Sequence, residues 1–259
     1  MTPPETPPET PPEVAVCWDV DGTLLRGGVV GREVLEQAFT TVTGHPAPED
    51  QVVMPGRTDW LIGEALRDAL PDEHATTLRG RGDAFGHDMI AEVGAEWGRR
   101  EPDLAAVAHT LPGIPETIAA LAAEPGVVQT LTTGNVRAGA RAKLAAVGLT
   151  DGPIDLALGG YGEGPGERVR VVEQARDALA ARYGSSPTLV VVGDTPLDVE
   201  AAHRAGAIAV GVATGGATLA ELHASGAEHV VADLADPGRL VAIVRSARED
   251  RRTASRGGG

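Results

Sequence analysis

"CWDVDGTLL", residues 17–25, sets two acidic side chains two residues apart at the end of a short apolar run. The run is Val14, Ala15, Val16, Cys17 and Trp18, which suits a strand buried on both faces. A strand ending in Asp19, Asp21, Gly22 and Thr23 turns at once and presents two carboxylates where it does so. Asp-Gly alone would serve as a turn signal. Whether this is a turn or a site depends on what other strand ends carry.

From residue 113 onward the chain alternates. "PGIPETIAALAAE" reads as a helix, "GVVQTLTTG" as a buried strand, and "VRAGARAKLAAVGL" as a helix ended by Gly148. "IDLALGG" reads as a short strand, "RVRVVEQARDALAARYG" as a helix and "TLVVVGD" as a continuous apolar strand. "PLDVEAAHRAG", "AIAVGVATGG", "ATLAELHASG", "EHVVADL" and "PGRLVAIVRSAR" continue the alternation. Strands alternating with helices imply a doubly wound α/β core, a parallel sheet with helices on both faces. Residues 14–25 and 111–244 are assigned to it.

Residues 26–110 break the rhythm. "GREVLEQAFTTVTG", "TDWLIGEALRDAL", "DEHATTLRGRGDAFGHDMIAEVGAEWG" and "EPDLAAVAH" read as helices with no convincing strand between them. An inserted α-helical cap domain is expected. It leaves the sheet at the carboxyl end of the first strand, where open α/β sheets bind ligands.

Residues 1–13 repeat Pro-Pro-Glu-Thr and are expected to form a solvated, partly polyproline tail. Residues 245–259 are polar and expected to be a flexible tail. Of the 259 residues, 42% are hydrophobic but only 3% aromatic, so Ala, Val and Leu must build the core. The formal net charge of −15 argues against a nucleic-acid partner. It leaves room for a small anionic substrate, because one metal ion and one arginine make a local positive site. The single cysteine, Cys17, forms no intrachain disulfide and reads as a buried thiol. No apolar stretch is long enough for a membrane span, and the amino terminus lacks the pattern of a signal peptide, so a cytoplasmic protein is expected.

Three strand ends carry polar groups of complementary type. The first has Asp19 and Asp21; the second ends in Thr132, Thr133 and Asn135; the third ends in Asp194, with Asp198 four residues on. Parallel strands bring these ends to one edge. Asp19, Asp194 and nearby carbonyls make a hard, oxygen-rich site that suits Mg²⁺. Seven histidines are scattered without metal-ligand spacing, and "GEGPGE" at 162–167 reads as a loop rather than a nucleotide fingerprint.

These motifs resemble those of the haloacid dehalogenase-type phosphohydrolase superfamily, in its phosphoglycolate phosphatase-like group with a helical cap. "DVDGT" at 19–23 matches the first motif, Thr133 of "LTTGN" the hydroxyl-ended second, and "GDTPLD" at 193–198 the acidic fourth. The third motif is a basic residue, usually lysine. The role is assigned to Arg168, with Lys143 and Arg170 as fallbacks; Lys143 stands early, in mid-helix, and reads as solvated.

The resemblance implies a Mg²⁺-dependent phosphohydrolase acting on a small phosphorylated metabolite. Asp19 would be the nucleophile and Asp21 the general acid and base. Thr133 and Arg168 would bind phosphate oxygens, with Asn135 beside them. The metal would rest on Asp19, Asp194 and the Asp21 carbonyl, and Asp198 would support the basic residue or a metal-bound water. Arg57, in "PGRTDWL" at 55–61, would reach the leaving group, while Thr58 or Asp59 would cap a helix. A phosphosugar mutase of the same fold and a non-catalytic binding protein are the alternatives.

Overall fold

The computed structural model describes residues 11–257. Strand β1 spans Val14–Trp18, and the short strand β2 follows at Leu25–Arg26. Helices α1 (Val30–Thr43), α2 (Asp59–Asp68), α3 (Asp72–Arg79) and α4 (Asp83–Val107) come next, then β3 (His109–Thr110). The remainder alternates: α5 (Ile114–Ala122), β4 (Val127–Thr133), α6 (Arg137–Ala146), β5 (Gly160–Tyr161), α7 (Val169–Tyr183) and β6 (Thr188–Gly193). It closes with α8 (Pro196–Arg204), β7 (Ile208–Val212), α9 (Leu219–Ala224), β8 (His229–Val231) and α10 (Pro237–Gly257).

Six strands form a parallel sheet in the order β5-β4-β1-β6-β7-β8. Alternation along β1 distributes it between two apolar layers. Val14, Val16 and Trp18 join a cluster with Ile114, Leu121, Leu240 and Val244, while Ala15 and Cys17 join one with Val172, Leu179, Val199 and Ala202. Burial pushes the Cys17 thiol up to about 12, so it stays protonated and inert. Strands β4 and β6 flank β1 on opposite sides, which puts their carboxyl ends together at the point where the strand order reverses.

Residues 30–107 build an apolar cluster of their own, with Val34, Phe39, Leu66, Phe85, Met89 and Trp97 buried in it. Val136 and Ala142 from the α6 region join this cluster, so the helical segment packs against the core. No helix among the described residues is long and apolar enough to cross a membrane.

Several elements differ from the sequence reading. The helical insertion is bounded by an antiparallel two-stranded ribbon, β2 with β3, whose four residues are too few to leave a hydropathy pattern. The single helix expected over 72–98 is two, α3 and α4, broken where Gly82 takes φ 53°. Helix α4 then runs on through Pro102, which forfeits one backbone hydrogen bond but keeps Leu104 buried. "IDLALGG" folds as a 3₁₀ turn at Leu156–Leu158 followed by β5. The polar stretch from residue 245 is helical rather than frayed. Arg245 donates to Glu124, and Arg252 donates to both oxygens of Glu13. Glu13 is itself tied down through its backbone to Gly126 and Thr188. Residues 1–10, which hold most of the Pro-Pro-Glu-Thr repeat, lie outside the described residues.

Candidate active site

Asp19 is buried at the tip of β1, where its N–H donates to the Val192 carbonyl at 2.8 Å. Its Oδ1 accepts from Arg168 Nη2 at 2.6 Å. Arg168 is itself buried at the start of α7; its Nε donates to Asp198 Oδ1 at 2.7 Å and its Nη1 to the Gly56 carbonyl at 3.0 Å. The planar fork thus joins the tip of β1, the start of α8 and the helical segment, a task that suits guanidinium better than ammonium. Burial works against the Arg168 charge, but Asp198 and Asp19 hold it firmly protonated.

Asp198 has two partners. Besides Arg168, its Oδ2 accepts from the Thr195 N–H and hydroxyl, and Thr195 Oγ1 accepts in return from the Asp198 N–H. This capping box starts α8 and fixes the Asp198 carboxylate against the guanidinium. One side chain thus both caps α8 and accepts from Arg168.

Carboxylate oxygens of Asp19, Asp194 and Asp198 lie within 4.8 Å of one another, all three side chains buried. Burial pushes Asp19 well up, against the pull of Arg168. Burial, with Asp198 nearby, pushes Asp194 up to about 7. Asp194 Oδ1 accepts from Thr23 Oγ1 at 3.3 Å, and no basic side chain pairs with Asp194 among the described residues. The backbone is moulded to this carboxylate. A Cβ on Gly215 would lie 1.5 Å from Asp194 Oδ2, and one on Gly22, at φ +80°, 2.6 Å from the same atom. Three acidic groups, two of them sharing one guanidinium and the third without a basic partner among the described residues, make a negative, oxygen-only donor set, which fits a hard divalent cation.

The second strand end joins the first through its side chains. Thr133 Oγ1 accepts from Asn135 Nδ2 at 2.8 Å, and the same amide donates to Asp21 Oδ2 at 2.7 Å. Lys143 Nζ lies 2.5 Å from Asp21 Oδ2 and 2.6 Å from Asn135 Oδ1. Partial loss of solvent works to raise the half-exposed Asp21, but Lys143 and Asn135 outweigh it and hold the carboxyl below its ordinary value. Lys143 is therefore not on a solvated face: it is 4% exposed and inside the cluster. The sequence pattern makes it only a fallback for the basic motif, on a solvated face, although it is the only lysine among 22 basic residues. Its spacing from Val136 and Ala140 puts it on the buried face of α6.

The "PGRTD" segment presses its backbone, not the Arg57 side chain, onto the core. The Asp59 N–H donates to the Gly134 carbonyl at 2.7 Å and the Trp60 N–H to that of Gly162 at 3.3 Å. Thr58 caps α2 by accepting from the Leu61 N–H at 3.2 Å. Asp59 instead accepts from the Val136 N–H, at the start of α6. Arg57 is exposed and lines a cavity of about 430 Å³ between α2 and the helices α7 and α8. Arg168 and Arg204 line it too, but Asp19, Asp21 and Thr133 do not. Arg170, the other fallback, pairs with Glu173 on the exposed face of α7.

Burial pushes the Asp59 carboxyl up to about 6 against the opposing pull of Lys143 and the Val136 N–H. The folded chain therefore holds this proton more tightly than the unfolded chain, whose carboxyl titrates at about 3.9. The unfavourable burial grows as pH rises from about 4 to 6 and is complete above that. Asp59→Asn keeps an oxygen for Val136 without the charge. It is expected to stabilise the fold at pH 7 by up to about 3 kcal/mol, and to do nothing below pH ~4. Thermal melts of both proteins at the two pH values check this.

A family model described as haloacid dehalogenase-like hydrolase matches residues 14–206. Among solved structures, the chain is similar to a beta-phosphoglucomutase from Clostridium difficile at 12% identity and TM-score 0.59, over 93% of this chain and 99% of that one. A predicted phosphoglycolate phosphatase from Haemophilus somnus 129pt aligns at 19% identity and TM-score 0.57, over 88% and 97%. A hydrolase from Pseudomonas syringae aligns at 20% and 0.56, over 89% and 99%. No curated protein matches.

Proposed function

Because the chain belongs to the haloacid dehalogenase-like hydrolases, we propose that it is a Mg²⁺-dependent phosphatase of a small phosphorylated metabolite, working through an aspartyl-phosphate. The observation that carries this is the placement of Asp19. It lies buried against one guanidinium and among further carboxylates, two residues from an aspartate with its own lysine. A turn would need none of these contacts.

Asp19 and Asp194 side chains and the Asp21 carbonyl would hold the metal, since Asp198 already spends both oxygens on Arg168 and Thr195. A bound Mg²⁺ would offset the repulsion between the carboxylates and the phosphate anion. An Asp19 oxygen attacks phosphorus, and the bond from phosphorus to the leaving oxygen breaks. Asp21 handles the proton. It is an anion in the free protein, ready to accept, so the proton it gives the leaving alkoxide arrives with the substrate as the phosphate monoanion. Asp21 then takes a proton from water, whose oxygen attacks phosphorus and frees Asp19, and gives that proton up to the departing phosphate or to solvent, which returns it to the anion. Arg168 and Thr133 steady the phosphate oxygens, with Asn135 holding Thr133.

In this reading, residues 26–110 act as a cap over the sheet edge, with Gly56, Thr58 and Asp59 as their contact with it. The single buried Cys17 suits a cytoplasmic setting. Arg57, which has no ion pair among the described residues, is free to meet a second anionic group on the substrate. Arg57→Ala is expected to raise KM for such a substrate about tenfold, the loss of one charge-assisted contact, and to change p-nitrophenyl phosphate hydrolysis far less. Equal loss on both would make Arg57 a scaffold residue.

The test is a panel of phosphate esters assayed with Mg²⁺ for inorganic phosphate and for isomerised sugar phosphate. Phosphate release supports the reading. Isomer without phosphate supports a mutase, which has the same attack on phosphorus but excludes water.

A further inference from the structure

Lys143 is the one lysine of the chain, and the phosphatase reading leaves it without a task. A buried ammonium is costly unless its hydrogens find partners. Two of the three do: Asp21 Oδ2 at 2.5 Å and Asn135 Oδ1 at 2.6 Å. The Trp97 ring, its centroid 5.0 Å from Nζ, covers another side. Trp97 comes from α4, and α6 admits it closely. A Cβ on Gly139 would lie 2.4 Å from Trp97 Nε1, so the pocket around the ammonium depends on a glycine there. Arg168, by contrast, spends its hydrogens on Asp19, Asp198 and Gly56. The two cations therefore serve different aspartates.

The contacts on Asp21 are asymmetric. Oδ2 takes both the ammonium and the Asn135 amide, while Oδ1 has no hydrogen-bond partner among the described residues. The Asn135 amide is orientated by three neighbours: its NH₂ faces the oxygens of Asp21 and Thr133, and its carbonyl faces Lys143 Nζ. The side chain of Asp21 is half exposed, so without these contacts it would sample several rotamers.

We infer that Lys143 is a positioning residue that clamps Oδ2 of Asp21, with Asn135, and leaves Oδ1 as the atom that passes the proton to and from substrate oxygen. Lys143 does not touch phosphate. The clamp is completed by Trp97 of the helical segment, which makes the geometry of Asp21 depend on how that segment is docked. The inference deepens the phosphatase reading and rests on it for its catalytic consequence.

The test combines two cycles on Lys143→Met, Asp21→Asn and the double variant. In the first, kcat/KM is measured with Mg²⁺ for an alkyl phosphate, whose leaving group needs a proton, and for p-nitrophenyl phosphate, which barely does. Lys143→Met is expected to cost about tenfold or more on the alkyl ester, part of the general-acid contribution, and under about threefold on the aryl ester. In the Asp21→Asn background it is expected to cost nothing further on either. Equal loss on both esters, or a further tenfold loss on Asp21→Asn, would overturn the inference and put Lys143 on the phosphate or in the scaffold.

The second cycle reads thermal melting of the same proteins. Each single change strands a buried or half-buried charge, so the double variant should melt about 5 °C higher than the summed single losses predict. Additive losses would overturn the clamp. If Lys143→Met does not fold, Lys143→Arg, which keeps the charge but not the fit to both acceptors, is carried through both cycles. A wild type inert on both esters would sink the phosphatase reading, and the melting cycle would still decide the clamp.

Discussion

Asp19→Asn is expected to bring turnover of every phosphate ester to background while leaving the fold intact. The amide is nearly the same size as the carboxylate and still offers Arg168 an oxygen in place of the acceptor seen at 2.6 Å. What it lacks is the anionic oxygen that attacks phosphorus, and no neighbour can substitute. Asp198 is held by Arg168 and the α8 capping box, and Asp194 is held by the Gly22 and Gly215 backbone. Loss of a nucleophile typically removes about 10⁶-fold in a hydrolase whose groups act as a unit. The melting temperature should not fall, because burial raises the Asp19 carboxyl and its charge is held at a cost. Phosphate release and a melt on the same preparation check both statements. Residual activity near the wild-type level would remove Asp19 from the reaction.

Stripping divalent metal is expected to have an effect of similar size, and a reversible one. Asp19, Asp194 and Asp198 face each other with one guanidinium between them, and a phosphate monoester would add up to two negative charges. Two unit charges at 4 Å interact by about 4 kcal/mol at an effective dielectric of 20, so several like pairs exclude the substrate from a metal-free site. EDTA should abolish phosphate release, and added Mg²⁺ should restore it. Ca²⁺ should bind but inhibit, because its longer and looser bonds draw the nucleophile out of line. Full activity in a metal-free preparation would contradict the donor set. Isothermal titration of Mg²⁺ into wild type and Asp194→Ala gives a second readout that does not need turnover.

The parts of this site that were legible in the sequence are those fixed by strand ends. An apolar run such as "TLVVVGD" is buried on both faces, so its terminal Asp194 can only stand at the sheet edge. Parallel strands then bring Asp19, Thr133 and Asp194 together wherever the helices lie. Arg168 was named only through the resemblance's third motif; the helix it precedes follows β5 at that edge. Its bond to the Gly56 carbonyl was not legible, because backbone carbonyls carry no sequence signal.

Lys143 escaped because one helix does not reveal how deeply it is covered. Its depth is set by Trp97, 46 positions earlier in another element, and by the contact that Gly139 permits. Composition likewise misjudged the last helix. Leu240, Val241, Val244 and Ala247 give α10 a buried stripe at helical spacing, and the arginines beyond it find Glu124 and Glu13 across the fold. Polar residues at a chain end are solvated only when nothing distant is placed to meet them.

Everything proposed for the reaction passes through one covalent species, a phosphoryl group on Asp19. The most direct test is intact-protein mass spectrometry of the Asp21→Asn variant after brief exposure to Mg²⁺ and p-nitrophenyl phosphate, quenched in acid. Attack needs little proton transfer with this leaving group, whereas hydrolysis of the adduct needs the base, so the adduct should accumulate. A mass gain of about 80 Da, labile to hydroxylamine as an acyl phosphate is and mapping to the peptide that contains Asp19, is the predicted result. The same gain on Asp19→Asn, or its absence from Asp21→Asn while phosphate is still released, would contradict the account.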